Sequence, residues 1–397
     1  MPAPHTYTRQ DVAEIHCHSG PAVLNSILDL CLGCGARLAE PGEFTLRAFL
    51  NGRIDLAQAE AVAELTRASS AGQGRLGINQ LRGLLSSRID AVKKALVEIL
   101  AILEVAIDYP DEAEEILDEH DLPEMLDTRV LTPLHTLAED FSRARIFRSG
   151  ARVLIAGKPN AGKSSLLNAL ACEERAIVTS IPGTTRDTIE VQLEIKGIAV
   201  TMTDTAGIRP DPDPVEAQGI RRVKGLIKGA DLVLWMLDME SGFTSEDMEA
   251  WRLINSRPLL LVLNKADLFP EPASRAEGLL KELDLLTGRA LSEAYPHLLI
   301  SAKEHAGLGK LEQEMAAALT AGSEEPPEAA PNARHKALID RASEGARAAL
   351  AGLKAGESPE IVAIEIRAAV DALDEITGRT TTEDILNEIF SSFCLGK

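Results

Sequence analysis

The sequence predicts a chain of class α/β plus all-α, in which a doubly wound α/β domain is inserted into a helical domain that is discontinuous in sequence. Three observations predict it. Strand-like apolar runs alternate with helix-like segments from Arg152 to about residue 320, the grammar of an open, mostly parallel sheet covered by helices. On either side of that stretch the apolar period is helical. A Pro- and Glu-rich run, "AGSEEPPEAAPNARH", marks the return from one grammar to the other.

The bulk numbers set bounds. A chain of 397 residues can form two or three domains, each burying its own core. With 45% hydrophobic residues it is globular rather than disordered. A formal charge of −20 argues against gripping a polyphosphate backbone unaided, because such binding draws on clustered Lys and Arg. If the protein works on nucleic acid, a partner does the holding. The cysteines are Cys17, Cys31, Cys34, Cys172 and Cys394. An odd set in a large chain without a signal peptide points to reduced thiols. No run approaches the 18 apolar residues of a membrane span, so a soluble, cytoplasmic protein is expected.

Taken in order, residues 1–48 form a short leading block containing "DVAEIHCHSG" and "EPGEFTLRAFL". Residues 49–150 read as the first part of the helical domain. From Ile78, apolar residues recur at Leu81, Leu85, Val92, Leu96, Ile99 and Leu103, which predicts one long helix burying a single stripe. Residues 151–320 carry the α/β domain. "RVLIAG" is a compact strand, followed by a Gly-rich turn and the helix "KSSLLNAL". "TIEVQLEIKGIAVTMTD" reads as a hairpin around Lys196 and Gly197, and "ADLVLWMLD" and "PLLLVLN" are two further strands. Residues 321–397 open on the linker and continue from Lys336 as the second helical part.

The α/β domain holds the chemistry. "GKPNAGKS", Gly157 to Ser164, is G-x-x-x-x-G-K-S between strand and helix, where backbone N–H groups and a helix N-terminus receive phosphate. Asn160, Ala161, Gly162, Lys163, Ser164 and Ser165 line it. Lys163 reaches the β- and γ-phosphates, and Ser164 is the Mg²⁺ ligand. Asp204, which ends the hairpin, holds Mg²⁺ through water, and Thr205, Ala206 and Gly207 complete a turn whose Gly207 N–H meets the γ-phosphate. In "NKAD", Asn264, Lys265 and Asp267 close another strand. The Asp267 carboxylate accepts guanine N1–H and N2–H₂, which adenine does not offer. Ser301, Ala302 and Lys303 ("SAK") follow the next strand, where a backbone N–H meets guanine O6. Between the first two elements lie Thr179, Ser180, Ile181, Pro182, Gly183, Thr184 and Thr185, with Thr185 the expected Mg²⁺ ligand and Thr184 next. Four elements in this order predict a GTPase. Ile208, directly after the Asp-x-x-Gly turn, offers no hydrogen-bonding group to an attacking water.

These residues, with "IPGTTRD" and "DTAGIR", resemble the tRNA-modification GTPase MnmE (TrmE) family. "EPGEFTLRAFLNGRIDLAQAEAV" and the terminal "EDILNEIFSSFCLGK" extend the resemblance over essentially the whole chain. It implies an N-terminal folate-binding domain of α+β type, a discontinuous helical domain and an inserted G domain. It implies a homodimer whose G domains meet across the nucleotide when K⁺ is bound. It also implies an FAD-dependent partner, MnmG, and modification at C5 of the tRNA wobble uridine with a one-carbon unit from a tetrahydrofolate. The residues matched to K⁺ are Asn160, whose side chain offers an oxygen, and Thr179, Ile181 and Thr184. Glu216 takes the place of the glutamate that orients the water. Glu14, Arg53 and Lys397 match folate contacts, and Cys394 falls near the folate pocket, a possible modification site. Arg186 is expected to be structural or a dimer contact.

The leading block is shorter than the resemblance implies, so an incomplete N-terminal folate-binding domain is expected, and Ser19 stands for a usual glycine. His16 and His18, if in a strand, would share a face and could bind metal. Without a second ligand pair, a structural role is expected. Cys31 and Cys34 are expected to pack rather than do redox work. Two alternatives stand: a truncated GTPase of this kind without modification activity, and a ribosome-assembly GTPase switch. The second usually appends a basic RNA-binding module, whereas this chain ends in an acidic helical bundle.

Overall fold

In the computed structural model, which describes residues 1–172, 190–204, 225–323, 325–391 and 393, the change of grammar at Arg152 becomes a change of architecture. One unit comprises Met1–Ala68, Gly74–Ser142 and Pro327–Lys397, and the other Ser69–Gln73 and Arg143–Pro326.

The first unit contains α1 (Pro21–Gly33), α2 (Glu43–Leu50) and α3 (Leu56–Arg67). α4 (Ala71–Leu81) and α5 (Leu84–Asp108) follow in sequence. α5 buries Leu85, Ile89, Val92, Leu96, Ile99 and Leu103, alternating three and four residues apart so that all fall on one face. Each such side chain contributes roughly 2 kcal/mol relative to exposure. The single helix expected from Ile78 is corrected. It is two helices, because Gly83 sits at φ 80°, a left-handed conformation that ends a helix and that glycine adopts without a Cβ clash. Apolar spacing carries no trace of that left-handed residue, and Ile78 stays 45% exposed.

α6 (Thr132–Ser149) precedes the sheet, and the helical grammar returns after the sheet in α11 (Ala333–Ala355), α12 (Pro359–Thr377) and α13 (Glu383–Ser391). The linker reading is corrected at its end. Ala329, Ala330 and Pro331 are buried, and α11 begins at Ala333 rather than Lys336. The cause is a reciprocal cap: the Asn332 side chain accepts from His335 N at 2.9 Å, and His335 Nδ1 accepts from Asn332 N at 3.2 Å. α11 and α12 approach closely through small residues, and a Cβ at Gly345 would stand 2.9 Å from the Glu365 carbonyl oxygen. α5, α11 and α12 share one core with Leu122, Leu126, Val130 and Leu134. Phe390 and Phe393 pack with Leu56 and Ala59.

Glu60 of α3 fastens the start of α11. It receives His335 Nε2 at 2.6 Å, Arg334 Nε at 2.8 Å and Nη2 at 3.0 Å, and Asn332 Nδ2 at 3.2 Å. Since His335 Nδ1 accepts a backbone N–H, the ring proton sits on Nε2. Burial pushes the Glu60 carboxyl up, but the hydrogen bonds from His335 and Arg334 outweigh it and hold the group at about 2.

Two readings of the leading block are corrected. α1 buries none of its residues, so Cys31 is only half-buried and Cys34 is exposed, both as free thiols rather than packed ones. His16 and His18 are exposed and lie outside any strand, so the shared face does not form. Among the described residues, no group of three or more His, Cys, Asp or Glu side chains could hold a metal ion.

The second unit is built on β1 (Ala151–Ala156), β2 (Glu190–Ile195), β3 (Ile198–Asp204), β4 (Leu232–Asp238), β5 (Leu259–Asn264) and β6 (His297–Leu299). Their order is β2-β3-β1-β4-β5-β6. β2 is antiparallel to β3 across Lys196 and Gly197, at φ 50° and 82°, the left-handed pair of a tight hairpin turn. The remaining pairs are parallel. β4 and β5 are buried at every position, as central parallel strands covered on both faces must be. α7 (Lys163–Cys172), α8 (Ser245–Ile254), α9 (Pro272–Thr287) and α10 (Leu308–Thr320) belong to the same unit. Trp235 of β4 stacks on Trp251 of α8 at 5.3 Å within its core. Among the described residues no helix is long and apolar enough to cross a membrane. The parallel strands bring their C-terminal ends to one edge of the sheet, where ligands bind in such folds.

The Glu60 clasp predicts an acid response. Its folded pKa lies below the ordinary 4.5, so its stabilisation is complete above about pH 5 and is lost as pH falls toward about 2. Roughly 3 kcal/mol of stability should go in that window. Glu60→Gln should be less stable at neutral pH and should lack this acid slope, as read by circular dichroism during urea unfolding from pH 7 to 2.

Candidate nucleotide site

β1 ends at Ala156 and α7 starts at Lys163, and the loop between them is shaped by its glycines. Gly157 has φ 151°, and a Cβ there would lie 2.4 Å from the Met236 carbonyl oxygen. Gly162 has φ 98°, and its Cβ would lie 2.1 Å from Asn264 Nδ2. No other residue fits either place. Asn160, exposed at φ 62°, takes the left-handed conformation that asparagine tolerates. Ala161 is buried and Ser165 is exposed on α7.

Lys163 Nζ donates to the Gly157 and Lys158 carbonyls, each at 2.7 Å. Burial pulls its pKa down, and Asp204, Asp247 and Glu246 offset part of that. The parallel register sets Asp204 opposite Ile155, one residue before the loop strand ends. Asp204 is buried there, and Ser164 Oγ donates to its Oδ2 at 2.8 Å. The fold thus joins two of the three side chains expected at Mg²⁺, Ser164 and Asp204; the third, Thr185, lies outside the described residues.

The "NKAD" and "SAK" loops are joined through Asn264. Its Nδ2 donates to the Ala161 carbonyl at 2.8 Å, and its Oδ1 accepts from Ala302 N at 3.0 Å. One buried amide therefore ties the phosphate loop to the "SAK" loop. Ser301 is buried and pairs with Ala306, while Lys303 is exposed beside Glu304. Lys265, at φ 69°, reaches Asp238 and Glu240, both at 2.9 Å. Those hydrogen bonds raise its pKa. Burial would raise the Asp238 carboxyl, but the Lys265 hydrogen bond brings it below its ordinary value. Asp267 stands exposed in the short 3₁₀ turn Ala266–Leu268, its carboxylate open to solvent.

The remaining expected site residues divide in two. Thr179, Ser180, Ile181, Pro182, Gly183, Thr184, Thr185, Thr205, Ala206, Gly207, Glu216, Cys394 and Lys397 lie outside the described residues. Glu14 faces His16 at 3.3 Å, and Arg53 Nη1 donates to the Thr6 carbonyl at 3.1 Å, so these two matched folate residues are engaged separately. Motif reading passed over Lys158, Asp238 and Asp247, all buried beside the loops. Lys158 occupies a variable place in the motif, and the only written sign of Asp247 is the cap pattern of "TSED" before an apolar period.

A doubly wound sheet with this phosphate loop, an Asp at the end of its third strand and "NKAD" and "SAK" at the same edge defines the class of P-loop GTPases. The comparisons make the class particular. Residues 56–394 match the family model for the MnmE helical domain, and residues 1–53 match that for the N-terminus of the GTP-binding protein TrmE. The tRNA modification GTPase MnmE of Desulfotalea psychrophila is 44% identical over all of this chain and 84% of its own length. Those of Moorella thermoacetica and Syntrophotalea carbinolica are 42% and 43% identical over the same shares. A solved structure, Aquifex aeolicus Era bound to GDP and AlF₄⁻, aligns with 49% of this chain and 66% of its own at 27% identity, with a TM-score of 0.35. The chain belongs to the tRNA modification GTPase MnmE family, and it is a hydrolase acting on GTP.

Asn264→Ala should strip the Ala161 carbonyl and the Ala302 N–H of their shared partner. Each buried group so orphaned costs about 1–3 kcal/mol. The expected outcome is a lower thermal midpoint for the sheet unit, with weaker GDP binding by fluorescence titration.

Proposed function

We propose that the chain hydrolyses GTP at this loop cluster in a K⁺-dependent way. In the same reading it acts as a homodimer with an FAD-containing partner in C5 (carboxymethyl)aminomethyl modification of the tRNA wobble uridine. The observation that carries the site assignment is the Ser164 hydroxyl, 2.8 Å from buried Asp204 and next to Lys163 in the chain. A hydroxyl and a carboxylate at the mouth of a phosphate loop form the hard-oxygen set that suits Mg²⁺. Lys163, with the Gly157 and Lys158 carbonyls as its present partners, can exchange them for phosphate oxygens.

Each remaining residue has a task in this reading. Ser164 holds Mg²⁺ directly and Asp204 through water, with Thr185 completing the shell. Asn160 lies exposed where its amide oxygen can face a cation, and Thr179, Ile181 and Thr184 supply the further oxygens. K⁺ adds positive charge beside the transferring phosphoryl group, the service an arginine finger gives elsewhere. Glu216 accepts a hydrogen bond from the attacking water, which the aliphatic Ile208 cannot do. Asp267 reads guanine. A chain carrying −20 formal charges leaves the tRNA backbone mainly to its partner. Glu14, Arg53 and Lys397 are the folate contacts, and Cys394 belongs near that pocket. The family relationship supports these assignments, and the contact between Ser164 and Asp204 supports the magnesium pair among them.

Two measurements test this reading. GTP turnover by purified protein should rise at least about tenfold when Na⁺ is replaced by K⁺, the scale of a charge placed at the transferring phosphoryl; equal rates in both salts would remove the cation from the mechanism. Asp267→Asn should lose GTP affinity and gain xanthosine triphosphate affinity, each by about tenfold or more, because one base hydrogen-bond pattern is exchanged for its complement. Unchanged preference would undo the base assignment.

A further inference from the structure

The phosphate loop contains a second lysine. Lys158 has a side chain only 6% exposed, and its Nζ lies 3.2 Å from Oδ2 of Asp247, which is 0% exposed. The same Nζ donates to the Gly242 carbonyl at 2.6 Å. Asp247 is itself fixed: its Oδ2 accepts from Thr244 N at 3.0 Å and Thr244 Oγ1 at 2.8 Å, the cap of α8. Its Oδ1 is buried without a hydrogen-bond partner among the described residues, and the Lys158 ammonium is the charge in contact with its Oδ2. A buried ion pair of this kind is costly to break and strongly fixes the position of both partners.

The backbone of Lys158 has a different duty. Its carbonyl oxygen accepts Ala161 N at 3.3 Å, which closes the turn of the loop, and Lys163 Nζ at 2.7 Å. Side chain and carbonyl thus belong to one rigid residue, gripped from behind and facing the phosphate lysine in front. The stretch 238–247, from the last residue of β4 into the first turn of α8, grips it and also carries Asp238 and Glu240, which bind Lys265 of the guanine loop. Both nucleotide loops rest on one short segment.

We propose that Lys158 is a positioning residue for nucleotide binding: anchored by Asp247 and the Gly242 carbonyl, it holds the phosphate loop in the shape that presents Lys163 to the β- and γ-phosphates. The proposal rests on the reading of this loop as the GTP site and adds the support that keeps it preformed. Lys158 touches no phosphate itself. Its effect reaches the nucleotide through loop geometry, so it governs ground-state binding more than the chemical step.

The test uses the full chain with fluorescent GDP and with GTP turnover in K⁺. Lys158→Met/Asp247→Asn removes the pair without leaving a lone buried charge and keeps an acceptor for the Thr244 cap. It should raise the GDP Kd and the GTP KM about tenfold while kcat changes less than about threefold. Asp247→Asn alone, isosteric and still capping α8, should raise Kd about threefold, and it serves if the double variant does not fold. GDP affinity within about twofold of the parent in whichever variants fold would overturn the proposal, as would a kcat loss with KM unchanged. Lys163→Ala separates the two layers. If it loses GDP affinity while the Lys158 and Asp247 variants do not, the anchor fails and the site stands. If it too binds like the parent, the site reading fails.

Discussion

The sheet unit depends on a fit between one asparagine and one glycine. Asn264 can reach both the Ala161 carbonyl and the Ala302 N–H only because residue 162 has no side chain, since a Cβ there would sit 2.1 Å from the amide nitrogen. The strand ends that carry these loops, β1, β5 and the segment after β6, are fixed by the sheet. The amide converts that fixed spacing into a fixed relation between the loop after β1 and the "SAK" loop. The groups it satisfies are buried backbone, so the arrangement is held by the cost of leaving them unpaired rather than by a large intrinsic attraction.

A second layer of buried charge stands behind the loops. Lys158 meets Asp247 in the first turn of α8, and Lys265 meets Asp238 at the end of β4. Parallel strands put their C-terminal ends at one edge, so loops distant in sequence become neighbours there. At that edge each acidic group holds its lysine in a fixed place.

The helical unit solves a different problem, because its chain must leave and return. The return is marked by Asn332, Arg334 and His335, all converging on Glu60, more than two hundred residues earlier in the chain. The desolvation of this largely buried carboxylate is outweighed by the hydrogen bonds of His335 and Arg334, which hold it at about 2. Local capping and a long-range ion pair thus begin the same helix, with small residues along α11 then letting α12 lie close.

The sequence by itself determined the class of the sheet domain, the hairpin and the places of the Gly-rich, "NKAD" and "SAK" loops, because their glycines, charged residues and apolar runs have local physical requirements written in consecutive residues. It also determined the family, through strings such as "GRIDLAQAEAV". Tertiary structure alone decided the break at Gly83, which apolar spacing does not register, and the buried end of the linker, where a Pro-rich string looks solvated. It alone decided that Ser164 meets Asp204, that Lys158 is buried against Asp247, and that His335 is a ligand of Glu60. The physical reason is common to all of them: a pairing between distant residues depends on strand register and helix packing, and neither leaves a mark on the residues between.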